Sequence, residues 1–225
     1  MSAETHALPP RRALADDVYD AVLGMLMDQT IEPGSRVSID GIARQLDVSP
    51  TPMREALVRL ESEGLVVYSA RKGYRAAELL DASELRQLFE VRMLLEPPAA
   101  ALAASRIGPD QLAALQSLVD TADDGTDDAH YAGYRSFAER DAAFHRLIVE
   151  SAGNDMLTES VVRLRAHTHL YRLYFHHGIA ADTAEEHDAV LAALREHDAQ
   201  AAEAAMAAHI ERSYRRLAEH VPPES

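Results

Sequence analysis

Residues 38–79, SIDGIARQLDVSPTPMREALVRLESEGLVVYSARKGYRAAEL, decide the fold of the N-terminal third. Ser38 suits the cap of a short helix, because its hydroxyl can accept a free N–H of the first turn. Ile39, Ile42, Ala43 and Leu46 then share one apolar face. Asp47 falls where the chain must turn sharply, a position that its short side chain tolerates better than most. Ser49 caps a second helix, with Pro50 and Pro52 in the first turn, where no backbone donor is needed. Its inner face is Met53, Ala56, Leu57 and Leu60. Beyond Gly64 the pattern changes: LVVYS and GYRAA flank Ala70-Arg71-Lys72-Gly73, a short β-hairpin with a basic tip. Two short helices, a tight turn and a hairpin define a winged helix-turn-helix.

Upstream, Ala15, Val18, Tyr19, Val22, Met25 and Leu26 recur at helical spacing, which predicts a helix over 13–30 that ends at Pro33-Gly34. Residues 1–12 read as a flexible arm and 13–78 as the first domain. A short joint at 78–81 leads to a second domain over 82–220. It shows no strand signal, and six helical segments are expected, at 82–106, 109–123, 130–152, 154–177, 182–196 and 198–220. The fold class is therefore mainly α: a winged helix-turn-helix followed by an all-α six-helix bundle.

Composition agrees. Hydrophobic residues are 47% of the chain, enough for real cores, while aromatics are only 5%. With no cysteine, neither a disulfide framework nor a thiolate metal site can form. No apolar run reaches membrane-spanning length, and the N-terminus lacks a signal-peptide core, so no membrane partner and a cytoplasmic location are expected. Net charge is −15, unevenly spread. Residues 36–75 hold 7 basic and 5 acidic side chains, whereas 79–225 hold 13 basic and 25 acidic. A mildly basic head stands apart from an acidic body.

The pieces VSPTPMREAL, LESEGLV and the glycine at the hairpin tip resemble the DNA-binding domain of GntR-family bacterial transcription regulators. The stretches VRMLLE (91–96), DAAFHRLIVESAGN (141–154), EEHDAVLAALREHDAQAAEAAM (185–206) and AAHIERS (207–213) are similar to the helical ligand-binding domain of the FadR subfamily, the FCD domain. The expected six helices resemble its shorter VanR-like branch. The resemblance implies a homodimeric regulator, most often a repressor, that a small organic acid releases from, or repositions on, a palindromic DNA operator.

In such a domain the third helix enters the major groove with its N-terminal turns toward the bases. Arg54 is the candidate for a bidentate contact to guanine. Ser49 and Thr51 suit phosphates at the helix start, and Arg44 and Arg59 are further candidate contacts. At the wing, Arg71, Lys72 and Gly73 can approach phosphates or the minor groove. Some family members carry arginine where this chain has Asp40 and Pro50, so those contacts are not carried over.

Asp141 and His145 lie one turn apart on the buried stripe of their helix, with Phe137 and Ile148. His187 shares a stripe with Val190, Leu191 and Leu194, and His209 one with Ala202, Ala205, Met206 and Ile210. One carboxylate and three imidazoles therefore point into the bundle from three helices. A divalent metal ion satisfies all four together, and they match the FCD metal-binding pattern. The set suits Zn²⁺ first, and also Ni²⁺, Mn²⁺ or Fe²⁺. Arg92 is the candidate effector clamp, set against an ion pair with Glu96 one turn on. Tyr171 and Arg172 are possible cavity residues, His176 and His177 surface ones, and Asn154 a helix cap. Two other readings of the bundle are an ion-only sensor and a metalloenzyme, though no general base pairs with the expected metal site.

Overall fold

The computed structural model describes residues 14–120, 131–174, 180–219 and 221. The arm read at 1–12, the His176/His177 pair and the side chain of Tyr171 lie outside this described part. The chain divides into two compact units, Met1–Glu78 and Leu79–Ser225.

In the first unit, α1 (Leu14–Met27) buries Val18, Tyr19, Val22, Leu23, Leu26 and Met27. The Ser38 hydroxyl accepts the Gly41 N–H and starts α2 (Ile39–Gln45). Asp47 takes the left-handed backbone its position demands, with φ 53°. Next comes α3 (Pro50–Ser62), its prolines in the first turn and Met53, Ala56, Leu57 and Leu60 fully buried. Strands β1 (Val66–Ser69) and β2 (Gly73–Ala76) pair antiparallel, Val66 opposite Ala76 and Ser69 opposite Gly73. The winged helix-turn-helix is therefore present as expected.

The second unit is all helix among its described residues. Asp81 and Glu84 form a reciprocal capping box that starts α4 (Ala82–Ala104). This helix runs through Pro97 and Pro98, which have no N–H to offer the carbonyls of Met93 and Leu94. Then follow α5 (Pro109–Asp120), α6 (Tyr131–Ser151), α7 (Asp155–Leu164), α8 (Ala166–Tyr174), α9 (Ala180–Arg195) and α10 (Ala199–Ala218). Asn154 caps α7 through the Leu157 N–H, and Asp198 caps α10 through the Ala201 N–H.

One expectation needs correction. The single helix expected over 154–177 is two, because Arg165 adopts left-handed backbone with φ 49° and ends α7. The described bundle thus has seven helices where six were expected. Helix α4 packs most extensively on α10, and α6 lies against α4, α5, α7 and α8. Their inner faces meet in the middle of the bundle, where the polar residues gather.

Candidate metal centre and nucleic-acid interface

Five polar side chains converge from four helices. Asp141 and His145 come from α6, His167 from α8, His187 from α9 and His209 from α10. The four residues singled out by stripe position do come together. His145, His187 and His209 are buried, and their donor atoms lie within 4.8 Å of one another. Asp141, His145 and His167 form a second group of the same span, sharing His145. The Asp141 Oδ1 is 3.3 Å from His187 Nε2, and its Oδ2 accepts from His167 Nδ1 at 2.9 Å. Phe144 stacks flat on the His187 ring at 3.9 Å, which fixes its plane.

Two relays hold the rings from behind. In the first, Arg92 forks onto Glu96 at 2.6 and 3.2 Å, and Glu96 Oε2 takes the His145 Nδ1–H at 2.7 Å. In the second, Arg216 forks onto Glu186 at 2.7 and 3.0 Å, and Glu186 Oε2 takes the His209 Nδ1–H at 2.8 Å. With both Nδ1 atoms donating, both Nε2 atoms carry lone pairs. Those Nε2 atoms face each other at 3.1 Å.

Electrostatics keep these groups in ligand form. Burial would raise the Glu96 carboxyl, but Arg92 and His145 overcome it and hold Glu96 well below the usual range. Glu186 feels the same opposition of burial against His209 and Arg216, and falls to about 2. Burial pushes His145 down to about 4 and His187 well below its ordinary value, so both rings are neutral at pH 7. Burial would also raise Asp141, yet the His167 hydrogen bond and the neighbouring imidazoles hold it well below the carboxylate range.

Arg92 is 1% exposed and engaged with Glu96, which is the ion-pair alternative considered for it. Sequence reasoning missed Glu186, Arg216 and His167, and gave Glu96 a partner without its role on His145. Glu186 had a faint signal, standing four residues before the buried Val190. His167 had none, because the break at Arg165 shifts the helical phase.

In the first unit, Arg44, Ser49, Thr51, Arg54, Arg71 and Lys72 are all exposed. Gly73 has φ 73°, and a Cβ added there would meet nothing within 4 Å, so backbone conformation explains the glycine. Arg59 is also exposed but engaged: it pairs with Asp16 at 2.8 Å and lies 3.9 Å over the Tyr19 ring. It ties α3 to α1, whereas Arg54 stands a turn closer to the helix N-terminus.

A recognition helix with a basic wing, joined to a helical bundle with a buried polar centre, defines the class: a DNA-binding regulator with a ligand-sensing domain. Residues 14–76 match the family described as bacterial regulatory proteins, gntR family, and residues 87–212 match the FCD domain. The chain belongs to the GntR family of transcription regulators with an FCD effector domain, and not to a family of enzymes. Among its relatives, the Nta operon transcriptional regulator of Aminobacter aminovorans is 34% identical over 61% of this chain and 63% of its own length. The putative L-lactate dehydrogenase operon regulatory protein of Escherichia coli is 27% identical over 89% of this chain and 84% of its own. The solved structure of E. coli McbR/YncC superposes with a TM-score of 0.69 at 22% identity, covering 93% of this chain and 99% of that one, and so shares the fold. No described helix is long and apolar enough to cross a membrane.

Proposed function

We propose that the FCD domain holds one divalent metal ion on Asp141, His145, His187 and His209, and that a small organic acid binding beside it alters operator affinity. The observation that carries this is the facing pair of Nε2 atoms on His145 and His209, 3.1 Å apart with both Nδ1 atoms tied to carboxylates. Two lone pairs at that distance repel unless a cation lies against both. Donors about 2.1 Å from an ion and at a right angle stand about 3.0 Å apart, so the spacing suits an ion with more than four ligands. His187 Nε2 supports it: buried, without a hydrogen-bond partner, and within reach of Asp141. Zn²⁺ fits the donor set first, with Ni²⁺, Mn²⁺ and Fe²⁺ also suited.

When bound, the ion supplies a Lewis-acidic position for a carboxylate oxygen. Around it, Glu96 and Glu186 orient His145 and His209, while Arg92 and Arg216 keep those carboxylates charged. Arg92 thus acts toward an effector through Glu96 and His145. The name of the lactate-operon relative is consistent with a small acid as signal. Arg54, Ser49 and Thr51 read one half-site of the operator, with Arg44, Arg71, Lys72 and Gly73 on its backbone. A homodimer reads both halves of a palindrome. The chain works as a repressor, and the acid lowers its operator affinity because it binds the released state more tightly.

The test is operator binding with metal fixed and small carboxylates varied, alongside metal analysis of the purified protein. About one ion per chain is expected, with at least one acid shifting operator affinity about 5–150-fold. Release by metal removal alone, with no response to any acid, would make the ion itself the signal. Full occupancy in both His145→Ala and His187→Ala would sink the metal site.

A further inference from the structure

Resting on that metal site, we infer that His167 is a fifth protein ligand of the same ion, and the one that an incoming anion displaces. Its Nδ1 is 2.9 Å from Asp141 Oδ2, and its ring centroid is 4.7 Å from that of His145. Its donor atom lies within 4.8 Å of those of Asp141 and His145, the same span that unites His145, His187 and His209. An ion held by Asp141 and His145 therefore has His167 at hand without any helix having to move.

His167 differs from the other imidazoles in two ways. It is carried by α8, a nine-residue helix that begins directly after the left-handed Arg165, whereas α6, α9 and α10 have 21, 16 and 20 residues. Its side chain is 17% exposed, against 1%, 8% and 4% for His145, His187 and His209. The exposure opens on a cavity of about 170 Å³ whose wall includes His145, His167, Arg146 and Arg165. At about 30 Å³ per water, that is room for an acid of a few heavy atoms and not for an aromatic ring system. The cavity is bordered by two arginines, so an anion entering it meets positive charge first and then the His167 face of the ion.

Displacement is an exchange of lone-pair donors. A carboxylate oxygen bonds to the ion as the His167 nitrogen leaves, no electron is transferred, and the proton count of both groups is unchanged. His167 then no longer anchors the start of α8, which can turn about the Arg165 joint. The acid is thereby read as a movement of one short helix while the ligands on α6, α9 and α10 stay in place.

The experiment uses the full chain loaded with Co²⁺, in wild type, His167→Ala, His167→Asn and His145→Ala. Asparagine keeps an N–H in place for Asp141 but is a poor ligand. His167→Ala is expected to weaken Co²⁺ binding about 10–100-fold in chelator competition, and His167→Asn to remain weak. The visible spectrum should show one imidazole fewer in both. Acetate, as the probe anion, should bind His167→Ala more tightly than wild type, because the position is already open. Recovery of affinity in His167→Asn would assign the residue to holding Asp141 by a hydrogen bond, overturning ligation. Equal acetate affinity in wild type and His167→Ala would overturn displacement. Failure of the underlying metal site looks different: wild type without Co²⁺, or full Co²⁺ in His145→Ala.

Discussion

A buried imidazole presents the nitrogen that its other nitrogen allows, and in this domain carboxylates make that choice. Glu96 takes the Nδ1–H of His145 and Glu186 that of His209. Replacing Glu96 by Gln should weaken metal binding about 10–100-fold, measured by chelator competition. It should also destabilise the fold by about 3–5 kcal/mol in urea unfolding, since Arg92 is left buried without its counter-charge. In the DNA-binding unit, Arg54→Ala should cost about 1–3 kcal/mol on the operator and less on random DNA; equal losses on both would make Arg54 a phosphate contact. Asp141, His145, His187 and His209 were legible because each sits on an apolar stripe where a polar group is conspicuous. Glu186 and Arg216 were not, because a charged residue beside such a stripe looks like any solvated one. Only the fold shows that they reach the histidines.

At the scale of elements, caps and breaks set where side chains fall. The capping box at Asp81 and Glu84 satisfies donors at both ends of its span, so Asp81→Ala should lower stability by about 1 kcal/mol in denaturant unfolding. Turn chemistry was readable in the N-terminal unit, where Ser38, Asp47, Pro50 and Gly73 each hold the conformation their type favours. The α7–α8 break was not readable. Arginine has no special preference for left-handed backbone, and the sequence VVRLRAHTHL has neither glycine nor proline to mark a stop. Here tertiary packing overrides local propensity. Measured as one helix, 154–177 gave the wrong phase beyond Arg165, so His167 could not be assigned to the inner face.

At the scale of the molecule, division of labour is visible in the distribution of charge along the sequence. The segment around the recognition helix and wing is mildly basic and the remainder acidic, and the two compact units fall on the same division. A head with so small a positive excess makes few phosphate contacts on its own, which favours pairing of heads for tight binding. The bundle, by contrast, concentrates its chemistry in its interior. Its fold class was legible from uninterrupted helical periodicity, and its contents only from the convergence of α4, α6, α8, α9 and α10.

The two relays behind the histidines also fix a charge balance. Arg92 cancels Glu96 and Arg216 cancels Glu186, so neither relay contributes a net charge to the centre. Asp141 alone among the expected ligands carries one, and a divalent ion beside it is left with a single positive excess. One carboxylate neutralises that excess. The second charge of a dicarboxylate has no counterpart within the ligand set. The domain should therefore rank anions by valence, binding acetate or lactate in preference to malonate or succinate when followed by calorimetry on metal-loaded protein. The reverse order would mean that charge outside the relays governs the choice.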